Sequence, residues 1–113
     1  MEVVEKTEGA KIAYTVTQKS IIFGDDDLSI NLKNREMDEA VLLDVCMDGN
    51  GFLVIGAAAG RRYVAQIVIP AREYVEQEAG VNAEGYPQLE KTAVPFDMER
   101  CTLYLWGLEG EAC

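Results

Sequence analysis

The chain has 113 residues, of which 49% are apolar. A chain of this size buries roughly two-thirds of its unfolded surface on folding, so it can form one domain with a core that needs neither disulfide nor metal. Its 20 acidic and 10 basic residues give a formal net charge of -10, which repels nucleic acid and anionic lipid. We therefore predict no nucleic-acid partner and no membrane partner.

The cysteines and the first residues predict a cytoplasmic protein. Cys46, Cys101 and Cys113 are widely spaced and form no CxxC pair, which is typical of reduced thiols. We interpret the first two as small buried hydrophobes within strands. Residues 1–8 alternate in charge and lack the apolar run of a secretory signal, and no stretch approaches the roughly 20 apolar residues that span a bilayer.

The N-terminal third predicts strands with one exposed face. Apolar and polar residues alternate over residues 11–17 and again over residues 28–33, the two-residue period of a strand that turns one side to a core. A third strand over residues 20–23 leads into the turn at Gly24-Asp25-Asp26-Asp27. Residues 34–39 predict a loop with at most one helical turn.

Two predicted strands in the middle of the chain have apolar residues at both the odd and the even positions, so apolar side chains point to both sides of each strand. They cover residues 41–47 and 52–58, and strands of this kind are typically covered on both sides. The connection Asp48-Gly49-Asn50-Gly51 supplies residues that tolerate positive φ, as a tight hairpin requires. The sequence therefore predicts a central hairpin, followed by a small-residue corner at residues 57–60.

Further strands and the chain ends complete the prediction for the body. One strand covers residues 62–69 and ends at Pro70, which cannot donate to a ladder, and the last strand covers residues 101–107. Residues 1–10 and 108–113 are predicted to be frayed ends of a single domain spanning residues 1–113.

Residues 71–95 have no large apolar face, and two interpretations remain open for them. The segment could form a protruding β-hairpin arm, or residues 71–79 could form a short helix, because their apolar side chains are scattered at helical spacing. We favour the hairpin, because Thr, Val and Tyr favour strands and because Pro70 and Pro87 bracket the segment without a helix-cap signature. A two-stranded ribbon is marginal in isolation, so such an arm needs the body or a second copy of the protein to lie against.

Three stretches carry a resemblance to a known group of proteins. They are Ile12-Ala13-Tyr14-Thr15-Val16-Thr17-Gln18, the run from Arg62 to Tyr74, and the run from Phe96 to Trp106. In these stretches the chain resembles small proteins associated with bacterial prophages and mobile elements. The resemblance implies a phage-related or accessory context, and it assigns no activity and no functional residue.

The aspartate-rich turn contains the candidate metal ligands, Asp25 and Asp27. The oxygen-bearing residues at positions one, three, five, seven and twelve of an EF-hand-like loop are Asp25, Asp27, Ser29, Asn31 and Glu36. Position six, which an EF-hand needs as Gly for its sharp turn, is Ile30, and the flanks alternate as strands instead of forming helices. We therefore interpret this segment as a solvated turn and predict no metal and no cofactor.

The absence of histidine from the sequence limits the chemistry available. It removes Ser-His and Cys-His catalysis and the usual zinc sites. The segment Gly56 to Arg62 lacks the spacing of a phosphate-binding glycine loop. A carboxylate-based enzyme remains as a third possibility, but we predict that the protein is not an enzyme.

The sequence as a whole predicts an all-β protein, a single-domain β-sandwich or partly open β-barrel with a protruding β-hairpin arm. We expect a non-enzymatic, phage-related interaction or assembly protein whose partner is itself, as a homo-oligomer, or another protein. The alternative is a small-ligand or cation-binding β-barrel. The candidate partner-binding residues are Tyr74, Glu76, Leu89 and Thr92 in the arm and Tyr104 and Trp106 in the last strand, and core packing remains the alternative role for the last two.

Overall fold

The computed structural model describes residues 1–56 and 62–108. In these ranges the protein consists of ten β-strands and two single-turn 3-10 helices, Lys33–Arg35 and Met98–Arg100. The strands are β1 (Glu2–Glu5), β2 (Tyr14–Val16), β3 (Ser20–Phe23), β4 (Leu28–Asn31), β5 (Val41–Met47), β6 (Leu53–Ile55), β7 (Arg62–Ile69), β8 (Tyr74–Val81), β9 (Pro87–Ala93) and β10 (Thr102–Leu105). No helix in the described ranges is long and apolar enough to span a membrane.

Five strands form the larger sheet, in the order β1-β10-β7-β5-β6. The pair β1 and β10 is parallel, and the other neighbours are antiparallel. The alternation in the sequence sets which side chains face the core, because successive residues of a strand point to opposite sides. Most buried residues of this sheet accordingly follow a two-residue rhythm, with Leu43 and Val45 in β5, Ile67 and Ile69 in β7, and Leu103 and Leu105 in β10. The rhythm is broken where the register of β5 and β7 shifts, because the adjacent residues Val45 and Cys46, and Val64 and Ala65, are all buried.

The smaller sheet, in the order β2-β3-β4, covers one side of the larger sheet. Its Ile21, Phe23 and Ile30, together with Leu32 just after β4, are almost completely buried in one cluster with the apolar side chains of β5, β7 and β10. Burial of each such side chain stabilises the fold by about 1.5–3 kcal/mol. The sheets do not close on themselves, so the predicted all-β fold is confirmed in its sandwich form, and no barrel is formed by the described strands.

The segment for which the sequence allowed either a hairpin or a short helix, residues 71–95, contains a β-hairpin. β8 pairs with β9 in a separate two-stranded sheet, and every residue of both strands is exposed. The radius of gyration is 18.7 Å and the molecule measures 66 × 23 × 23 Å along its principal axes, whereas a compact domain of about 100 residues has a radius near 13 Å. The hairpin is therefore an arm that projects from the sandwich.

The prediction that residues 1–10 fray is wrong for their first half. Residues Glu2–Glu5 form β1, whose partner is β10 in parallel register. The Glu2 amide donates to the Cys101 carbonyl at 3.0 Å, and the Lys6 amide donates to the Leu105 carbonyl at 2.7 Å. A terminus that is tied to a sheet edge in this way does not fray. Residues 109–113, the rest of the predicted frayed ends, lie outside the described residues.

The prediction that the central hairpin is covered on both sides is also wrong. β6 is an edge strand, and the second sheet covers only one side of β5. Leu42 is 58% exposed and Phe52 is 68% exposed, although the sequence pattern placed both in doubly covered strands. The predicted corner at residues 57–60, which follows this hairpin, lies outside the described residues.

The prediction that the two internal cysteines are buried is confirmed, but only Cys46 lies within a strand. Cys46 lies within β5 and Cys101 directly precedes β10; both are buried, and neither takes part in a disulfide among the described residues. Desolvation by burial raises the pKa of the Cys101 thiol to about 11, because burial disfavours the thiolate. Cys101 therefore stays a neutral thiol at physiological pH, and Cys113 lies outside the described residues.

Candidate interaction surfaces

The base of the arm is fixed to the body by Arg72. Its guanidinium contacts the Glu36 carboxylate at 3.3 Å and the Asp38 carboxylate at 3.5 Å, and it donates to the Glu36 carbonyl at 2.9 Å. The Tyr74 hydroxyl donates to the same Asp38 carboxylate. Hydrogen bonding with Tyr74 and then with Glu36 raises the pKa of Arg72 above its ordinary value, so this cation stays charged at every physiological pH.

Arg100 fixes the base of the arm from the other side. Its guanidinium lies 3.1 Å from the Glu73 carboxylate, and it donates to the Ala71 carbonyl at 3.5 Å. The Val94 amide donates to the Glu73 carbonyl at 2.8 Å, which closes the two chains of the arm at their base. Arg72, just before β8, and Arg100, just before β10, thus orient the arm on the sandwich. No residue of β8 or β9 is itself buried.

The register of the arm divides the predicted partner-binding residues between two faces. Tyr74 pairs with Ala93, Glu76 with Lys91, and Glu78 with Leu89, and these three pairs share one face because they alternate with the others. Thr92 pairs with Val75 on the opposite face. Tyr74, Glu76 and Leu89 are therefore brought together, and Thr92 is not.

A bulge continues the apolar side of the arm towards its tip. The register shifts between Glu78 and Val81, leaving Ala79 and Gly80 opposite one residue of β9, and Gly80 has the positive φ of 100° that such a distortion favours. Val81 then pairs with Pro87 on the face that carries Leu89. Val81, Tyr86 and Leu89 are each about two-thirds exposed, at 65%, 64% and 64%.

The turn at the tip is ordered by Asn82. Its side-chain oxygen accepts from the amides of Glu84 at 2.9 Å and Tyr86 at 3.0 Å, an Asx arrangement in which the side chain replaces a backbone acceptor. The apolar group at the tip is thus held in place without being buried. Sequence reasoning missed Val81 as a contact residue, because its position beside Leu89 depends on the bulge.

The two other predicted partner-binding residues, Tyr104 and Trp106, lie on the outer face of the larger sheet and not in the arm. We define the outer face as the side of β1, β10, β7, β5 and β6 that points away from the smaller sheet. The Lys6 amine lies 5.4 Å from the Tyr104 ring centroid, and the Trp106 ring packs on Tyr63 with centroids 5.6 Å apart and planes inclined by 31°. Both predicted residues are partly exposed, so neither belongs to the core.

The outer face also contains a hydrogen-bonded polar pair, Gln66 and Asp44, and an exposed apolar residue, Leu42. The Gln66 amide donates to the Asp44 carboxylate at 2.8 Å across β7 and β5. Leu42, which pairs with Val68 two positions before Asp44, is more than half exposed. The face therefore combines aromatic, aliphatic and satisfied polar side chains, the composition that is typical of a protein contact surface.

The candidate metal ligands lie in the turn between β3 and β4. Asp25 and Asp27 are exposed, and the Asp27 carboxylate accepts from the Asp25 amide at 3.2 Å. Asp26 between them has a φ of 62°, a left-handed conformation that Asp tolerates better than most residues. No group of three or more metal-binding side chains is found among residues 1–56 and 62–108.

The described part of the chain has two clefts of note, at opposite ends of the sandwich. The larger, of about 690 Å³, lies at the end that bears the arm and is lined by segments around Val16–Lys19, Lys33 and Pro95–Glu99, together with Met1. The smaller, of about 290 Å³, lies beside Phe52 and Asp27. Neither is the interior of a barrel.

The fold and these surfaces define an open two-sheet β-sandwich with a projecting ribbon. Comparison with protein-family models, with curated proteins and with solved structures finds no match for this chain. A functional proposal therefore depends on the geometry of its own surfaces.

Proposed function

We propose that this protein is a non-enzymatic interaction and assembly protein of the cytoplasm, that it acts as a homo-oligomer, and that the arm is its main contact element. The observation that carries the proposal is that every residue in both strands of the arm is exposed. The resemblance to small prophage-associated proteins adds a phage-related setting to the proposal.

The energetics of the arm support a partner. Ordering one residue of backbone costs about 1–2 kcal/mol, and none of the 8 residues of β8 and 7 residues of β9 is buried in return. A two-stranded ribbon is marginal in water. Burial of Val81, Tyr86 and Leu89 against a partner would contribute about 1.5–3 kcal/mol for each large apolar side chain, which offsets part of the cost of ordering the arm.

The uncovered outer face supports the same proposal. The apolar pattern of β5 and β6 is that of strands covered on both sides, but one sheet covers only one side. Leu42, Tyr104 and Trp106 remain available for contact, because they are only partly buried. A second copy of the chain would complete the coverage that the sequence pattern predicts.

A copy of the same chain is the partner that the geometry favours. The arm projects along the 66 Å dimension of a molecule that is only 23 Å wide, so its tip extends away from the sandwich to which it is attached. The tip presents Val81, Tyr86 and Leu89, and the outer face presents apolar residues on the same chain. In a symmetric dimer each copy supplies both surfaces, which is how closed homo-oligomers form.

Light scattering of the purified protein tests the proposal. The informative variant replaces residues 76–91 by Asn-Gly, which closes a short hairpin on the paired residues Val75 and Thr92. This change keeps the Arg72 and Arg100 contacts at the base of the arm. We expect the intact chain to be an oligomer and the shortened chain to be a monomer with an unchanged β-type circular dichroism spectrum.

Two results would overturn the proposal. One is an intact protein that stays monomeric at high micromolar concentration. The other is a shortened protein with the same oligomer size as the intact chain, which would place the contact away from the arm.

A further inference from the structure

The cleft of about 690 Å³ at the arm-bearing end of the sandwich has a volume within the range of small-molecule sites. It lies between the β2–β3 turn, the 3-10 helix at Lys33–Arg35 and the segment before β10. Its lining includes Pro95, at the base of the arm, but no residue of β8 or β9. Its role is therefore separable from that of the arm.

The floor of the cleft is apolar. Val16 is half-buried, Phe96 is half-buried, and Met98 is 8% exposed and belongs to the core cluster. These side chains are held by the sandwich and do not depend on a ligand for their position. They form a preformed surface for an aliphatic or aromatic group.

Two lysines lie together on the rim of this floor. Lys19 and Lys33 are 14 positions apart in the sequence, and the register of β3 and β4 brings them together: the Lys33 amide donates to the Lys19 carbonyl at 3.2 Å, and the Leu32 amide donates to it at 2.8 Å. The Thr17 hydroxyl accepts from the Ser20 amide at 3.0 Å and fixes the turn that carries Lys19. Neither lysine amine has an ion-pair or hydrogen-bond partner among the described residues.

The acidic side chains of the cleft have partners. The Asp97 carboxylate accepts from the Glu99 amide at 3.0 Å, and the Glu99 carboxylate lies 3.6 Å from the Met1 amine. The lining therefore carries three cationic groups, the amines of Met1, Lys19 and Lys33, against the two carboxylates, and the lysine amines are the cations left without a partner among the described residues. In a protein whose net charge is -10, this local excess of positive charge favours an anion at one place.

We propose that this cleft binds a small organic anion with an apolar body, such as a medium-chain or aromatic carboxylate. Lys19 and Lys33 contact the charged end, and Val16, Phe96 and Met98 contact the apolar part. Such a site combines an apolar floor with a few placed charges, the composition of most small-ligand sites.

Isothermal titration calorimetry with two probes of equal chain length tests the charge requirement. The probes are sodium decanoate and decyltrimethylammonium chloride, both below their micelle concentrations. We expect saturable one-to-one binding of decanoate and at least tenfold weaker binding of the cation. Equal affinities, or no saturable binding of decanoate, would overturn the proposal.

Charge-reversal variants test the residues. We expect Lys19→Glu and Lys33→Glu each to weaken decanoate binding severalfold, and the double variant to weaken it more than tenfold. The matched control is Lys91→Glu, which makes the same charge change on the exposed arm and should leave the affinity unchanged. All three lysines are exposed, so the variants should fold, and circular dichroism checks this. Decanoate binding that is unaffected in the double variant would place the ligand elsewhere and overturn the proposal.

The arm-shortened protein separates this inference from the proposed function. It lacks residues 76–91 but retains all the residues that line the cleft. We expect it to bind decanoate with the affinity of the intact chain, whether or not the intact chain is an oligomer. If the arm-shortened protein lost decanoate binding, the proposal that the cleft is the binding site would be overturned.

Discussion

Cys101 shows how burial sets the chemistry of a single residue. Its side chain is 1% exposed in the main core, and desolvation raises the pKa of its thiol to about 11. An unfolded cysteine titrates at a pKa of about 8.5. The folded protein therefore retains this proton over a pH range in which the unfolded chain loses it.

This difference predicts how stability depends on pH. Because the folded-state pKa of Cys101 is raised, its contribution is fully present below the unfolded pKa and is lost as pH rises through about 11. We expect the free energy of unfolding, measured by urea denaturation, to fall as pH rises from about 8.5 towards 11. Cys101→Ala should fall less steeply over the same range.

Cys46→Ala is the matched control for this prediction, because it removes the other buried thiol. It should leave the contribution of Cys101 in place. An identical pH slope in the parent protein and in Cys101→Ala would contradict the expected role of Cys101.

The element that decides the proposed function is the arm. Its two faces differ in character, because the bulge at Ala79 and Gly80 aligns Val81 with Leu89 on one face while Thr92 lies on the other. Contact through one face predicts that substitutions on the two faces differ in effect. Leu89 and Thr92 are both exposed, so neither packs in the core of the sandwich.

We expect Leu89→Lys to weaken self-association by about tenfold or more, because it removes an apolar contact of about 1.5–3 kcal/mol and places a charge in the interface. Thr92→Lys introduces the same side chain three positions away on the opposite face and should change association little. Analytical ultracentrifugation over a concentration series measures both. Equal weakening by the two variants would show that the contact does not distinguish the faces.

At the scale of the whole molecule, charge opposes assembly. Each copy has a net charge of -10, and residues 74–93 of the arm carry Glu76, Glu78, Glu84 and Glu90 against the single cation Lys91. Bringing two such chains together is therefore electrostatically unfavourable. The attractive part of the contact must come from apolar burial and backbone pairing.

This balance predicts the effect of salt. Raising the ionic strength from about 0.01 M to about 0.5 M shortens the Debye length from about 30 Å to less than 5 Å and screens the repulsion between copies. We expect association, measured by light scattering at fixed protein concentration, to strengthen over this range. Dissociation with added salt would instead indicate a contact made by ion pairs.

The local pattern of the sequence predicted the type of most elements, although it missed β1 and the 3-10 helix at Met98–Arg100. Alternation over residues 11–17, 28–33 and 62–69 predicted strands, because the two-residue period is a property of neighbouring residues alone. The strands observed are shorter at some ends, as β2 (Tyr14–Val16) shows, because pairing partners decide where a ladder stops. The β-hairpin nature of the arm also followed from local propensity.

Tertiary structure alone decided which faces are covered and which distant residues meet. Apolar residues in both phases of β5 and β6 indicated two covered sides, but only the packing of β2-β3-β4 shows that one side is left open. The parallel pairing of β1 with β10 joins the two ends of the described chain, and the meeting of Lys19 with Lys33 depends on a strand register. Sequence periodicity determines to which side of a strand each side chain points. Which side is covered, and in which register two strands pair, depends on segments far away in the chain, and no local pattern encodes this.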